Sequence, residues 1–441
     1  MAALSPRQVA RRVLERVEKG GAWATPTLDG ELARAGLDDR DRRLASELVY
    51  GVLRHKTRID RALAAHAQLK KTPPRVLLAL RVAAYQLLFL DRVPAYAAVD
   101  DAVAAAREAG GQKLAGFANA VLRKLGSAKE PPLPAGGRDR LEIEYSLPAW
   151  ILDELVLASE GEEAAVAARA AAFAEPAPIV ARVNRRKTTR DALATELAAD
   201  GVTATPIDIA LPPSLAGGQT SGTPTALRLE GLGDPARSKS FLAGEWTVQD
   251  TGAQLVAEVA APRAGQRILD ACAGVGGKST HLAELTNDAS PIDSADLNAT
   301  KLGLLDETAQ RLGLTSIRRH AVDLLDPSIW SGTLAPSYDL IVLDAPCSGL
   351  GVLRRHPDAK WRLKQADVAR LADLQRQLLD ALAPHLAPGG TFVYSVCTFT
   401  RAEGPEQAAA FAKRHGFRIV GEHRSWPPDA DAFYIARLSR D

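Results

Sequence analysis

The stretch ILDACAGVGGKST, residues 268–280, runs from a short apolar segment into a glycine-rich turn and then into a polar segment. This order predicts a strand, a tight turn and the start of a helix. Further strand-like runs, such as YDLIVLDAP (338–346) and GTFVYSVCT (390–398), alternate with helical segments. The alternation is typical of parallel βαβ units in a doubly wound α/β sheet, so we expect ligands where the apolar runs end.

The glycine-rich turn can be interpreted as one of three kinds of ligand-binding loop. A phosphate-binding P-loop requires glycine at the position of Cys272. A dinucleotide fingerprint matches Gly274 and Gly276, but its third glycine is replaced by Ser279. The remaining interpretation is an S-adenosylmethionine loop, whose backbone amides approach the methionine end of the ligand.

Two aspartates follow the next predicted strands. Asp296 is suited to accept hydrogen bonds from both ribose hydroxyls, and Asp323 is suited to bind an adenine amino group. The alternative for both is a helix-capping role, which is common at strand-to-helix turns. The combined spacing favours S-adenosylmethionine over a nicotinamide dinucleotide.

Two of the three cysteines lie at predicted strand ends, Cys347 after the fourth strand and Cys397 after the fifth. A lone cysteine is usually a buried structural residue. Two cysteines at neighbouring strand ends, facing the same crevice as the glycine loop, instead indicate a catalytic role. The chain has no Cys-x-x-Cys motif and no His/Cys cluster, so we expect no metal.

Thiols beside a methyl donor suit methylation of a pyrimidine at carbon 5. Carbon 5 is a weak nucleophile until a thiolate adds to carbon 6, and this covalent step divides one difficult reaction into easier ones. The thiolate form requires a lowered thiol pKa. Asp344, three residues before Cys347, is suited to bind N3 and the exocyclic amine of cytosine.

The N-terminal part differs in composition from the rest. Residues 4–126 show helical periodicity, and SPRQVARRVLERVEKG starts with a serine cap and proline at the first helical position. Residues 1–126 carry 22 Lys and Arg against 13 Asp and Glu, a net charge of +9, whereas the remainder carries 33 against 40. A basic helical domain suggests a polyanionic partner such as nucleic acid, although a solvated helical surface would look the same.

Composition and segment lengths restrict the cellular context. Three cysteines cannot form a disulfide framework and no signal peptide opens the chain, so we expect a cytoplasmic protein. The apolar stretch VLLALRVAAYQLLFL (76–90) is interrupted by Arg81 and Gln86 and falls short of the ~20 residues that span a bilayer. It predicts a buried core helix. The Pro/Gly-rich segment 127–139 predicts a linker.

The motifs LDAPCSGLGVLRRHPDAKW, VYSVCT, WTVQD and ACAGVGGKST together resemble the RNA cytosine-C5 methyltransferases. The helical segment LLALRVAAYQLLFLDRVPAYAAVDDAV with GFANAVLRKL resembles the RNA-binding fold of the antitermination factor NusB. Their fusion resembles bacterial 16S rRNA methyltransferases of the RsmB, or Sun, type. The resemblance implies a NusB-like all-α bundle (1–130), a small α/β connecting subdomain (140–245) and a Rossmann-like class I methyltransferase domain (246–441).

The resemblance also implies roles for individual residues. Cys397 would be the nucleophile, Cys347 would assist release of the product, and Asp344 would hold the target cytosine. DNA cytosine-C5 methyltransferases use the cysteine of the Pro-Cys motif as nucleophile, but the second cysteine and the helical domain favour RNA. The implied S-adenosylmethionine site comprises Cys272, Ala273, Gly274, Val275, Gly276, Gly277, Lys278, Asp296, Asp323 and Asp344.

The target base must be unpaired or flipped to reach a strand-end crevice. Arg354, Arg355 and Lys360, near Trp361, are the candidate RNA contacts. The alternative is a tryptophan packed in the core with an ordinary basic helix start.

The implied function is methylation of one cytosine in 16S rRNA by a monomeric enzyme that contacts no membrane. The alternatives are the same reaction on tRNA or another rRNA site, or a non-catalytic RNA-binding assembly factor. The sequence departs from the family pattern at three positions that could affect activity, where Val275 replaces Pro, Gly404 replaces Asn and Ala432 replaces Gly.

Overall fold

The computed structural model describes residues 4–91, 93–128, 130–215 and 222–440. They form two compact units. One contains the chain up to Pro176 together with Leu353–Leu363, and the other contains Ala177–Val352 and the chain from Lys364 onward. None of the described helices is long and apolar enough to cross a membrane.

The first unit is helical, as its periodicity predicts. Ser5 caps the first helix in a capping box with Gln8. The predicted core helix, Pro74–Phe89, is buried along most of its length, and its Arg81 is neutralised by Asp60 at 2.7 Å. The first six helices are α1 (Pro6–Gly20), α2 (Ala24–Ala35), α3 (Asp39–Arg54), α4 (Lys56–Ala64), α5 (Pro74–Phe89) and α6 (Ala95–Ala128), the last interrupted at Gly110 and Gly111.

Three more helices belong to this unit: α7 (Gly137–Glu144), α8 (Ala149–Ala158) and α9 (Glu163–Ala174). Helix α7 starts inside the segment 127–139, and all three helices group with the helical unit. Helix α7 packs on α4, and the backbone N of Arg58 donates to Ser146 Oγ. These contacts tie the segment to the helical bundle.

The second unit begins with a four-stranded antiparallel sheet in the order β2-β3-β1-β4. Ala181 in its centre is paired with Leu227 on one side and Val248 on the other. Trp246 is fully buried in the core beneath it. Its elements are β1 (Ile179–Val183), α10 (Arg190–Ala199), β2 (Thr203–Pro206), β3 (Ala226–Glu230), α11 (Lys239–Leu242) and β4 (Trp246–Val248). The stretch LPPSLAGGQTSGTPT (211–225) predicts a loop from its Pro and Gly content, and its residues 216–221 lie outside the described residues.

A seven-stranded sheet in the order β10-β11-β9-β8-β5-β6-β7 forms the rest of this unit. Strands β5 to β9 are parallel, and β11 pairs antiparallel with both β9 and β10. The strands are β5 (Ile268–Ala271), β6 (Ile292–Asp296), β7 (Ile317–Ala321), β8 (Tyr338–Asp344), β9 (Leu386–Val396), β10 (Arg418–Arg424) and β11 (Tyr434–Ser439). The helices are α12 (Thr251–Ala260), α13 (Gly277–Leu285), α14 (Ala299–Leu312), α16 (Gln365–Leu382) and α17 (Pro405–His415), while the short α15 (Ala359–Arg362) belongs to the helical unit.

This topology confirms the doubly wound fold and locates the crevice. From β5 the chain moves outward through β6 and β7, and it then returns to β8 on the other side of β5. A crevice opens at the carboxyl ends of the strands where the direction reverses, here between β5 and β8. The glycine loop and both strand-end cysteines follow strands of this region.

Candidate active site

The glycine loop is held against the end of β6. The backbone N of Ala273 donates to Ala295 O at 2.9 Å, and the backbone N of Gly274 donates to Asp296 Oδ2 at 2.9 Å. Gly276 has φ +81°, and a Cβ built there would lie 2.4 Å from the side chain of Leu305. Glycine is therefore required at this position by both backbone conformation and space.

A fully buried arginine of the antiparallel sheet supports the same loop. Arg182 Nη1 donates to Gly277 O at 2.8 Å and to Gln249 Oε1 at 2.5 Å. Its other nitrogens pair with the carboxylate of Glu284, at 2.8 and 3.0 Å. Burying a charge is costly unless it is paired and hydrogen-bonded, and both conditions are met here. Arg182 is not among the residues predicted from the sequence, although an arginine inside the apolar run IVARV (179–183) indicates a buried charge with a specific partner.

The floor of the loop contains a buried carboxyl group. Asp270 accepts a hydrogen bond from Ser279 Oγ at 2.5 Å, and its other oxygen, Oδ1, has no partner among the described residues. Burial raises the pKa of Asp270 to about 6, against the opposing effects of Ser279 and Lys278. An acceptor left without a donor beside the crevice can take a hydrogen bond from a ligand.

Lys278, at the start of α13, faces the end of β8. Its Nζ lies 2.5 Å from Asp344 Oδ2, and Ser395 Oγ donates to Asp344 Oδ1 at 2.8 Å. Burial alone would lower the pKa of Lys278, but the negative charges of Asp344 and Asp270 outweigh it and raise that pKa. The ion pair therefore joins the helix that follows the glycine loop to the carboxylate that was predicted to bind cytosine.

The two predicted catalytic cysteines lie next to each other. Cys397 follows β9 directly, Cys347 follows β8 after a two-residue turn, and their Sγ atoms are 3.3 Å apart. Both are partly exposed to the crevice. The hydrogen bond with Cys397, burial, and the charges of Cys397, Glu403 and Asp344 raise the pKa of Cys347 well above its ordinary value. Cys347 therefore favours the neutral thiol form.

Backbone contacts fix the segment around Cys397. The backbone N of Gly351 donates to Cys397 O at 3.0 Å, and the backbone N of Ala432 donates to Gly351 O at 3.0 Å. A Cβ at position 351 would lie 1.9 Å from Ala432 O, so only glycine fits. Ala432, one of the departures from the family pattern, thus takes part in this contact through its backbone.

The other two departures from the family pattern, Val275 and Gly404, differ in how closely they are packed. Val275 is exposed at the tip of the glycine loop. Gly404 packs closely, because a Cβ there would lie 3.1 Å from Thr400 O and 3.2 Å from the ring of Tyr434. A larger residue at 404 would require its neighbours to shift.

Asp296 and Asp323 lie at the carboxyl ends of the neighbouring strands β6 and β7. Asp296 is the last residue of β6, and both of its oxygens accept backbone N–H groups, from Gly274 and Asn298. Asp323 is exposed and accepts from the backbone N of Leu325. Leu297, which is not among the residues predicted from the sequence, is 73% exposed beside Asp296. Among the described residues no group of three or more His, Cys, Asp or Glu could hold a metal ion.

The predicted RNA contacts need correction. Arg354 and Lys360 are only 4% and 3% exposed, and both belong to the helical unit. Lys360 Nζ donates to the carbonyl oxygens of Arg54 at 2.7 Å and Tyr145 at 3.3 Å, which leaves it turned away from solvent. The structure therefore does not support phosphate contact by Arg354 and Lys360.

The neighbouring residues also serve the packing of the helical unit. Trp361 Nε1 donates to Leu53 O at 2.6 Å, and its ring packs on the helical core. The carboxylate of Asp358 accepts from the backbone N of Ala24 at 3.0 Å. Arg355 is half-buried, and RNA contact stays a prediction for it alone.

Three family models match the chain in succession. The NusB family matches residues 4–127, a ferredoxin-like domain of RsmF/B-like methyltransferases matches 147–211, and a model described as 16S rRNA methyltransferase RsmB/F matches 257–439. Together they follow the order that the sequence motifs predict.

Curated relatives match almost from end to end. The ribosomal RNA small subunit methyltransferase B of Erwinia tasmaniensis is 34% identical, covering 98% of this chain and 98% of its own. That of Vibrio cholerae is 35% identical, covering 92% of each. Among solved structures, PH0851 has a TM-score of 0.79 at 22% identity over 100% of both chains. NSun6 from Pyrococcus horikoshii, solved with SFG, has a TM-score of 0.55 at 20% identity over 66% of this chain and 98% of its own.

Proposed function

Because the chain belongs to the RsmB/F family of 16S rRNA methyltransferases, we propose that it methylates carbon 5 of one cytosine in small-subunit rRNA. One observation carries the proposal: the thiols of Cys347 and Cys397 lie 3.3 Å apart at the ends of adjacent parallel strands, next to Asp344. Carbon-5 methylation requires a thiolate that adds to carbon 6, and it benefits from a second group that assists the later elimination.

The described residues fit S-adenosylmethionine as methyl donor. An added Cβ at Gly274 meets nothing within 4 Å, so the loop leaves open space beside its backbone. The unpartnered Oδ1 of Asp270 suits the ammonium group of the ligand. Asp296 would bind the ribose hydroxyls, Leu297 would pack on the adenine ring, and Asp323 would accept from the adenine amino group. S-adenosylmethionine, when bound, supplies an electrophilic methyl group on a positively charged sulfur.

The chain's own residues then act in order. The thiolate of Cys397 forms a bond to carbon 6 of the cytosine, and the electron pair displaced onto carbon 5 makes that carbon nucleophilic. Asp344 would accept a hydrogen bond from the exocyclic amine, while Lys278 balances its charge. After carbon 5 carries the methyl group, a base would take its proton, and the electron pair left behind restores the double bond between carbons 5 and 6. The bond between carbon 6 and sulfur then breaks with its electron pair on sulfur, which regenerates the thiolate of Cys397. Cys347, in contact with Cys397, is placed to assist this release.

Labelled S-adenosylmethionine and protein-free small-subunit rRNA test the proposal. Wild-type protein should label one cytosine, Cys397→Ala should be inactive, and Cys347→Ala should accumulate a covalent RNA–protein complex that survives denaturation. Purified tRNA and large-subunit rRNA are the matched substrates for the alternative targets. Labelling of either of these in place of small-subunit rRNA would contradict the assigned substrate. Adduct formation that depends on Cys347 instead of Cys397 would reverse the two roles.

A further inference from the structure

A single buried carboxylate joins the two cysteine segments. Glu403 is 0% exposed, and its oxygens accept four hydrogen bonds. Ser348 donates its backbone N to Oε1 at 2.8 Å and its Oγ to Oε2 at 2.5 Å. Thr400 Oγ1 donates to Oε2 at 2.9 Å, and Gln375 Nε2 donates to Oε1 at 3.1 Å. Each carboxylate oxygen therefore accepts two hydrogen bonds, which fixes the orientation of the Glu403 side chain.

The donors come from different parts of the fold. Ser348 follows Cys347 after β8, Thr400 lies three residues beyond Cys397 after β9, and Gln375 belongs to α16. A further hydrogen bond of 2.9 Å joins Ser348 Oγ to Thr398 Oγ1, which is adjacent to Cys397. The position of one thiol relative to the other therefore depends on Glu403.

The charge of Glu403 also acts on the thiols. All four of these hydrogen-bond donors are neutral groups, so none of them cancels the negative charge of Glu403. Two thiols 3.3 Å apart cannot both ionise, because like charges at that distance repel strongly. A nearby carboxylate adds to the cost of a thiolate, and it contributes to the raised pKa of Cys347.

We infer that Glu403 is a positioning residue that fixes the Cys347 segment against the Cys397 segment and keeps Cys347 as the neutral thiol. The inference rests on the proposed function, in which Cys397 is the nucleophile. A neutral Cys347 can donate its S–H to the sulfur of Cys397 across 3.3 Å. The same carboxylate thus fixes the two segments and disfavours attack by Cys347 on carbon 6.

The Glu403→Gln variant removes the negative charge of the side chain and keeps its size, so it tests the charge alone. Glutamine keeps an oxygen for Ser348 N and Gln375 Nε2, and its amide group can donate to the hydroxyls of Ser348 and Thr400, which can act as acceptors. Glu403→Ala removes both charge and shape. Glu406→Gln is the matched control, since Glu406 lies on the same segment but pairs with exposed Arg401 at 3.1 Å.

The first measurement is alkylation of Cys347 and Cys397 by iodoacetamide in the full-length protein without RNA, followed by peptide mass spectrometry from about pH 6 to about pH 10. Glu403→Gln should move the profile of Cys347 to lower pH by about one unit, and so raise its alkylation several-fold near neutral pH. Glu406→Gln should leave it unchanged. A Cys347 profile that coincides in wild type and Glu403→Gln would overturn the inference.

Methylation provides the second measurement. Glu403→Gln should lower kcat about tenfold, while the KM for S-adenosylmethionine stays unchanged, because the glycine loop is untouched. A variant that lost activity only through lower stability would not move the alkylation profile, and that result would also count against the inference. The alkylation profile needs no RNA, so failure of the wild type to methylate any RNA would refute the proposed function without deciding the role of Glu403.

Discussion

The Nζ atom of Lys278 lies 2.5 Å from Oδ2 of Asp344, which joins the helix after the glycine loop to the end of the strand that precedes Cys347. The glycine loop that we propose for the cofactor and the carboxylate that we propose for cytosine are therefore not independent. Both side chains are largely buried, at 16% and 21% exposure, so solvent screens their attraction only weakly. Removal of either partner leaves the other charge without compensation.

Lys278→Met should lower the methylation rate on the order of 10²-fold, because Asp344 loses the group that balances its charge. Single-turnover methylation by wild type and variant measures this loss.

The effect of Lys278→Met on the free energy of unfolding should depend on pH. The pKa of Lys278 is raised above the ordinary 10.5, so the pair stabilises the protein at neutral pH, and this contribution is lost only as pH rises through the folded-state pKa. Urea unfolding of wild type and variant should show a constant difference between about pH 6 and about pH 9 that shrinks above about pH 10.5. A difference that shrank on acidification within that range would contradict this assignment.

Arg182→Met should destabilise the protein by about 3–5 kcal/mol and weaken S-adenosylmethionine binding at least tenfold. The variant leaves Glu284 as an uncompensated buried charge and removes a donor from Gly277 O. Arg190→Ala is the matched control, because its exposed pair with Asp208 should be worth less than about 1 kcal/mol. Calorimetric titration and thermal unfolding measure both effects, and equal losses in the two variants would refute the special role of Arg182.

Gly276→Ala should abolish cofactor binding or reduce it severely. The backbone at φ +81° disfavours alanine by about 1–3 kcal/mol, and its Cβ would press on Leu305. Gly303→Ala, in the middle of α14 with nothing within 4 Å of the added Cβ, should instead stabilise the protein by about 0.5–1 kcal/mol. Thermal unfolding and ligand titration of both variants check this contrast, and an unchanged affinity in Gly276→Ala would contradict it.

Lys360→Met should leave the affinity for small-subunit rRNA unchanged, since the ammonium group faces carbonyl oxygens inside the helical unit. Burial lowers the pKa of Lys360 well below 10.5. A depressed lysine pKa makes folding less favourable at low pH, so the variant should gain stability relative to wild type as pH falls. Filter binding at fixed salt and urea unfolding at two pH values provide the test. A large loss of RNA affinity in a folded variant would restore the sequence-based expectation.

Local sequence patterns determined the fold class. The strand, glycine turn and helix of residues 268–280 are encoded by consecutive residues, and periods of two and 3.6 distinguish strands from helices. Parallel strands bring their carboxyl ends to one edge of the sheet, so the positions where apolar runs end already indicate Cys347, Cys397 and Asp344 as candidates. The resemblance to a known family then supplied the roles that spacing left open.

Contacts between distant residues were decided only by the tertiary structure. Arg354 and Lys360 look like a basic surface in the sequence, yet the segment packs into the helical unit, and packing of an amphipathic side chain cannot be read from its neighbours in the chain. Arg182 supports a loop some ninety residues later, and Glu403 joins two strand ends that are about fifty residues apart. Local sequence specifies which elements form, whereas the partners of a buried charge depend on which elements the sheet order brings together.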